Sequence, residues 1–135
     1  MNSAPWLLLG FNRPNGFDCA LSQIPVIQPS QVYLALDGPK TLEQSQRQDI
    51  LIDKVSKACI QENIPFELLK RSSNLGMGLA IPEALDWFFA REDLGIILED
   101  DLYFSHTFFE WMNWALHSSR RKGQALFEKV LVVQA

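Results

Sequence analysis

Two periodicities alternate along the chain. Trp6-Leu7-Leu8-Leu9-Gly10-Phe11 is a continuous apolar run, the pattern of a strand buried on both faces. Turn formers stop it at Asn12-Arg13-Pro14-Asn15-Gly16, and a short helix is expected over Phe17–Ile24. Val32-Tyr33-Leu34-Ala35-Leu36 is a second run of the same kind, ended by Asp37-Gly38-Pro39. From Leu42 to Asn63 the chain is mostly polar, with Ile50, Leu51, Val55, Ala58 and Cys59 spaced to draw one apolar stripe down a long helix. Pro65 closes that helix, and Phe66-Glu67-Leu68-Leu69 predicts a third strand. After Gly76-Met77-Gly78 a helix is expected through Ala84 to Arg91, with Pro82 in its first turn, where a missing N–H does no harm. Gly95-Ile96-Ile97-Leu98 predicts a fourth strand, and Ser105 is placed to cap a last helix through Phe108, Trp111, Met112 and Ala115. Near the end, Val130-Leu131-Val132-Val133 fits either a short strand or a helical extension.

Strand followed by helix, four times over, calls for an α/β fold: a three-layer sandwich around a mostly parallel sheet with right-handed crossovers. The 135 residues suffice for one domain, and 47% apolar residues suffice for a packed core. The formal charge of −4 and the lack of a basic run argue against a nucleic-acid partner. Cys19 and Cys59 form neither a metal-ligand pair nor a disulfide framework, which fits a reducing, cytoplasmic setting. No apolar stretch approaches the roughly 20 residues needed to span a bilayer, and the N-terminus lacks the pattern of a signal peptide.

In an open parallel sheet, ligands bind beyond the carboxyl ends of the strands. Asn12-Arg13 follows the first predicted strand, Asp37-Gly38 the second, Arg71 with Asn74-Leu75-Gly76 the third, and Glu99-Asp100-Asp101 the fourth. Parallel strands would bring all four groups to one edge. The acidic triplet stands between Ile96-Ile97-Leu98 and Leu102-Tyr103-Phe104. Like charges desolvated together require compensation, for which a divalent cation is the simplest agent. The competing reading is that these acids cap the next helix or lie in solvent. Arg13 and Arg71 suit phosphate oxygens, although each taken alone reads more readily as a surface arginine. Asp37 suits a base or ribose donor but reads equally as a turn former before Gly38-Pro39. Asn74-Leu75-Gly76-Met77-Gly78 sets two glycines before a helix, without dinucleotide or P-loop spacing. His106 and His117 have no partner in a recognisable catalytic arrangement and read as structural or exposed.

Four blocks in order, Leu9-Gly10-Phe11-Asn12-Arg13-Pro14, Leu34-Ala35-Leu36-Asp37-Gly38-Pro39, Arg71-Ser72-Ser73-Asn74-Leu75-Gly76 and Ile97-Leu98-Glu99-Asp100-Asp101, resemble the nucleotide-sugar-binding half of GT-A glycosyltransferases. They are most similar to bacterial relatives of the β-1,2-N-acetylglucosaminyltransferase group, over roughly Pro5 to Leu116. The resemblance implies a donor-binding domain over residues 1–116 that takes a nucleotide-diphosphate sugar, a UDP-sugar above all, with Mn²⁺ or Mg²⁺. It implies Asp101 as the direct metal ligand, with Asp100 and Glu99 near ribose or donor sugar. It further implies Asp37 at the uracil edge, Arg13 near the nucleotide, and Arg71, Asn74 and Gly76 lining the nucleotide cleft.

Residues 117–135 depart from the family pattern and are expected to form a divergent tail. The acceptor half and the carboxylate base of such enzymes have no counterpart here, so the chain reads as a truncated form with no assignable base and an unknown acceptor. An exposed sheet edge inviting self-association is expected where further strands would lie. Two other classes compete. One is a non-catalytic α/β binding or interaction module; the other is a receiver-like phosphoryl-transfer domain, disfavoured because its acidic cluster typically follows the first strand.

Overall fold

The computed structural model describes residues 3–121 and 131–132. The elements run β1 (Trp6–Gly10), α1 (Asp18–Ile27), β2 (Val32–Leu36), α2 (Leu42–Gln61), β3 (Phe66–Lys70), α3 (Met77–Phe89), β4 (Ile96–Glu99), α4 (His106–Arg121) and β5 (Leu131–Val132). All strand pairings are parallel, and the sheet order is β3-β2-β1-β4-β5. The α/β class and the parallel sheet expected from the alternating pattern are therefore present.

Side-chain alternation along the strands explains the layers. On one face Trp6 and Leu8 of β1, Leu34 of β2 and Leu98 of β4 pack with Ile24 of α1, Val55 of α2 and Phe109 and Met112 of α4. On the other face Leu7, Tyr33, Ala35 and Ile97 meet Ala84 and Phe88 of α3. Strands covered on both sides need apolar residues at successive positions, which is why β1, β2 and β4 read as unbroken runs. Trp6 is fully buried and stacks on Phe109 with ring centroids 4.5 Å apart. Burying a side chain such as Phe109 contributes about 1.5–3 kcal/mol.

Two prolines stand where local reading did not put them. The expected first helix over Phe17–Ile24 runs on through Pro25 to Ile27, because Ile24 and Ile27 both enter the core. Pro82 lies in the interior of α3 rather than in its first turn. The N–H that proline lacks there would have bonded the Gly78 carbonyl. Gly78 is exposed, so water can take over that acceptor, while Ala80 and Ala84 hold the helix on the sheet.

Beside β4, Leu131 and Val132 pair with Ile96 and Ile97, so part of the edge expected to be open carries a short strand. The boundary expected at residue 116 falls inside α4, which continues to Arg121. The remainder of the expected tail, residues 122–130 and 133–135, lies outside the described residues.

Candidate functional site

β1, β2 and β3 follow one another in one direction across the sheet, whereas β4 lies on the opposite side of β1. Strand order therefore reverses between β1 and β4, and crevices form outside the carboxyl ends at such a reversal. A cleft of about 530 Å³ opens at this edge, floored by Leu9, Ala35 and Leu36. Arg13, Asp37 and Arg71 line it, each from the loop after a different strand. Asn74 and Gly76 line it at the head of α3, and Glu99 and Asp100 at the tip of β4. Asp101 is not among the lining residues. Seven of the eight residues expected at a site are thus brought to one cavity.

Asp37 is the most heavily engaged of them. Its Oδ1 accepts from the backbone N–H of Gly38 at 2.7 Å and of Leu75 at 2.8 Å, and its Oδ2 from that of Gly76 at 2.9 Å. Asn74 returns the connection by donating its side-chain amide to the Gly38 carbonyl at 2.9 Å. Glycine is required at position 38, since a Cβ there would lie 2.1 Å from the Ser73 carbonyl carbon. Beneath this turn the fully buried Gln48 donates Nε2 to the Asp37 carbonyl at 2.7 Å. Gly76 has φ +79°, a conformation that glycine alone adopts freely, and it turns the chain into α3. The loops after β2 and β3 are therefore one hydrogen-bonded body.

The acidic triplet divides in two. Glu99 and Asp100 are half-buried and face the cleft, whereas Asp101 is exposed and ion-paired with Arg13. Asp101 has φ +59°, in the left-handed region that aspartate tolerates better than most residues, and its N–H donates to the Gly16 carbonyl at 2.8 Å. That bond, with the ion pair, ties the loop after β4 to the loop after β1.

Two further cations come from the loops after β2 and β3. The Arg71 guanidinium is largely buried and pairs with Glu83 of α3 at 2.8 Å. Lys40, absent from the residues expected at a site, is exposed and also lines the cleft. Its position directly after Asp37-Gly38-Pro39 was the available signal. Met77, Ala80, Ile81 and Ala84 of α3 give the cavity an apolar side that the polar-residue reading passed over. The two histidines lie elsewhere: His106 is exposed, and His117 Nδ1 is 2.7 Å from the Asn113 carbonyl oxygen.

Among the described residues, no three His, Cys, Asp or Glu side chains gather as they would around a metal ion. The carboxylates at the cleft still fit magnesium or manganese by chemistry. These hard ions take one or two protein carboxylates and fill their other positions with water and phosphate oxygens. Asp101 would join such a set only by turning toward the cleft, which it does not line. Cys19 and Cys59 are both free, and no described helix is long and apolar enough to cross a membrane.

Comparison with known proteins adds no relative: no protein-family model matches the chain, and no curated protein or solved structure is significantly similar to it.

Proposed function

We propose that the chain is the donor-binding domain of a glycosyltransferase and takes a nucleotide-diphosphate sugar, a UDP-sugar first, in the cleft at the carboxyl edge of the sheet. The observation that carries this reading is the convergence of Arg13, Asp37, Arg71, Asn74, Gly76, Glu99 and Asp100 on one cavity from four separate loops. The cavity also carries both signs of charge, with Lys40 and Arg71 from the loops after β2 and β3, and Glu99, Asp100 and Arg13 from the tip of β4 and the loop after β1. The ends of β3 and β4 are three strand spacings apart, about 14 Å at roughly 4.8 Å each. An extended ligand with both anionic and hydroxylated parts suits that span.

The residues divide the work accordingly. Arg13 and Lys40 supply charge for phosphate oxygens, Glu99 and Asp100 accept from ribose or sugar hydroxyls, and Met77 and Ile81 exclude water from one side. A divalent ion held by Asp101 and its neighbours would act as a Lewis acid, neutralising charge on the departing diphosphate. No residue is assigned as catalytic base.

Titration calorimetry with UDP tests the reading: manganese-dependent binding that Asp101→Ala abolishes supports it, and equal affinity in EDTA overturns the metal assignment. A second reading, a non-catalytic α/β binding module, is favoured by the engagement of Asp101 with Arg13. Donor-sugar hydrolysis or transfer by the chain separates the two.

A further inference from the structure

We propose that Asp37 is a positioning residue: it fixes the head of α3 against the turn after β2, and so sets the cleft, without reading the base of a bound nucleotide. The inference rests on the donor-binding reading for its ligand, but its geometry stands independently. A carboxylate has about four acceptor positions. Three are filled from the chain itself, two on Oδ1 by Gly38 and Leu75 and one on Oδ2 by Gly76. Bonds from backbone N–H groups to an ionised carboxylate are charge-assisted, hence stronger than neutral ones. A base N–H would have to settle for the single position remaining on Oδ2.

The rest of the stitch points the same way. Asn74 reaches back to the Gly38 carbonyl, so the same two loops are closed from both sides. Gly38 lies against the Ser73 backbone with no room for a side chain. Asp37 and Gly76 both line the cavity, so the spacing that the carboxylate enforces is the spacing of the cavity wall. Freeing the carboxylate for a ligand would loosen the wall that the ligand must contact.

Two variants attack this arrangement from opposite sides. Asp37→Asn keeps the shape but turns an amide N–H toward one of the backbone N–H groups, donor against donor. Asn74→Ala leaves the carboxylate intact and removes the return bond. Positioning predicts that both act alike on every nucleotide, whereas base reading predicts that Asp37→Asn alone removes a preference for one base.

The test combines residue-resolved amide hydrogen exchange on the ligand-free chain with equilibrium binding of UDP, CDP, ADP and GDP in manganese. In both variants, exchange at Leu75 and Gly76 should rise by about tenfold or more while the β1 amides stay protected. Affinity for each nucleotide that the unaltered chain binds should fall by one common factor, about three- to tenfold, with the order of preference kept. The combined variant should fall by less than the product of the two single effects, as expected of partners in one network. Unchanged exchange at Leu75 and Gly76 overturns the proposal. So does a loss confined to UDP in Asp37→Asn and absent from Asn74→Ala. If the unaltered chain binds no nucleotide, the donor-binding reading falls, and the exchange measurement still decides the task of Asp37.

Discussion

Arg13, beyond the end of β1, is ion-paired with Asp101, beyond the end of β4, so opposite charges close the two loops flanking the reversal in strand order. Both side chains are more than half exposed, and pairs in that setting contribute only about 0–1 kcal/mol. The pair is therefore cheap to open when a cation or a phosphate competes for either partner. Arg13→Ala is expected to lower stability by less than about 1 kcal/mol and to weaken UDP binding in manganese, read by denaturant unfolding and calorimetry respectively.

The left-handed backbone at Asp101 separates its conformational task from its chemical one. Asparagine tolerates that conformation and valine does not. Asp101→Asn should lose less than about 1 kcal/mol, the worth of the pair with Arg13, yet lose manganese-dependent UDP binding. Asp101→Val should lose about 1–2 kcal/mol of stability as well.

Lys40 contributes a positive charge to the cavity that Glu99 and Asp100 also line. Reversing that charge should reduce UDP affinity steeply, and more at low salt than at high salt, because exposed charges are screened. Calorimetry of Lys40→Glu at two ionic strengths checks both the loss and its salt dependence. Stability should change by no more than about 0.5 kcal/mol, as for most surface substitutions.

Gly38→Ala places a methyl group against the Ser73 carbonyl, a contact between backbones with no flexible side chain to give way. The two loops must part, and a loss of about 1–3 kcal/mol is expected from such overpacking. Thermal unfolding measures the cost, and raised amide exchange at Leu75 and Gly76 locates it.

Cys59 is fully buried in α2, and burial pushes its thiol pKa up to about 11. An unfolded thiol ionises near 8.5, so the unfolded chain releases this proton first as pH rises. The stabilising contribution is complete below the unfolded value and is lost as pH climbs through the folded one. Stability of the unaltered chain should therefore fall more steeply between about pH 8.5 and 11 than that of Cys59→Ala, as followed by urea unfolding.

The strands were legible because double-sided burial leaves a local mark. Val32–Leu36 is apolar at each position and forms β2 with those same bounds. The helix ends were less so, since the prolines at 25 and 82 obey the core contacts of their neighbours and not their own preference. The cleft residues were legible through one topological rule, that parallel strands deliver their ends to a common edge. What those residues do to one another was not. Leu75 and Gly76 stand 38 and 39 residues from the carboxylate they bind, and nothing local marks a backbone N–H as a partner. Arg13 and Asp101 meet across more than twice that divide.

The sheet order also bears on how the chain reaches this shape. Trp6 pairs with Val32 on one side and with Ile96 on the other, so the two neighbours of β1 stand at very different distances from it along the chain. Contacts so distant along the chain close slowly. A folding intermediate built from β1, β2 and β3 would leave one flank of the central strand bare and the crevice without its acidic side. Ligand recognition would then arise only in the last stage of assembly, and binding would report completed folding.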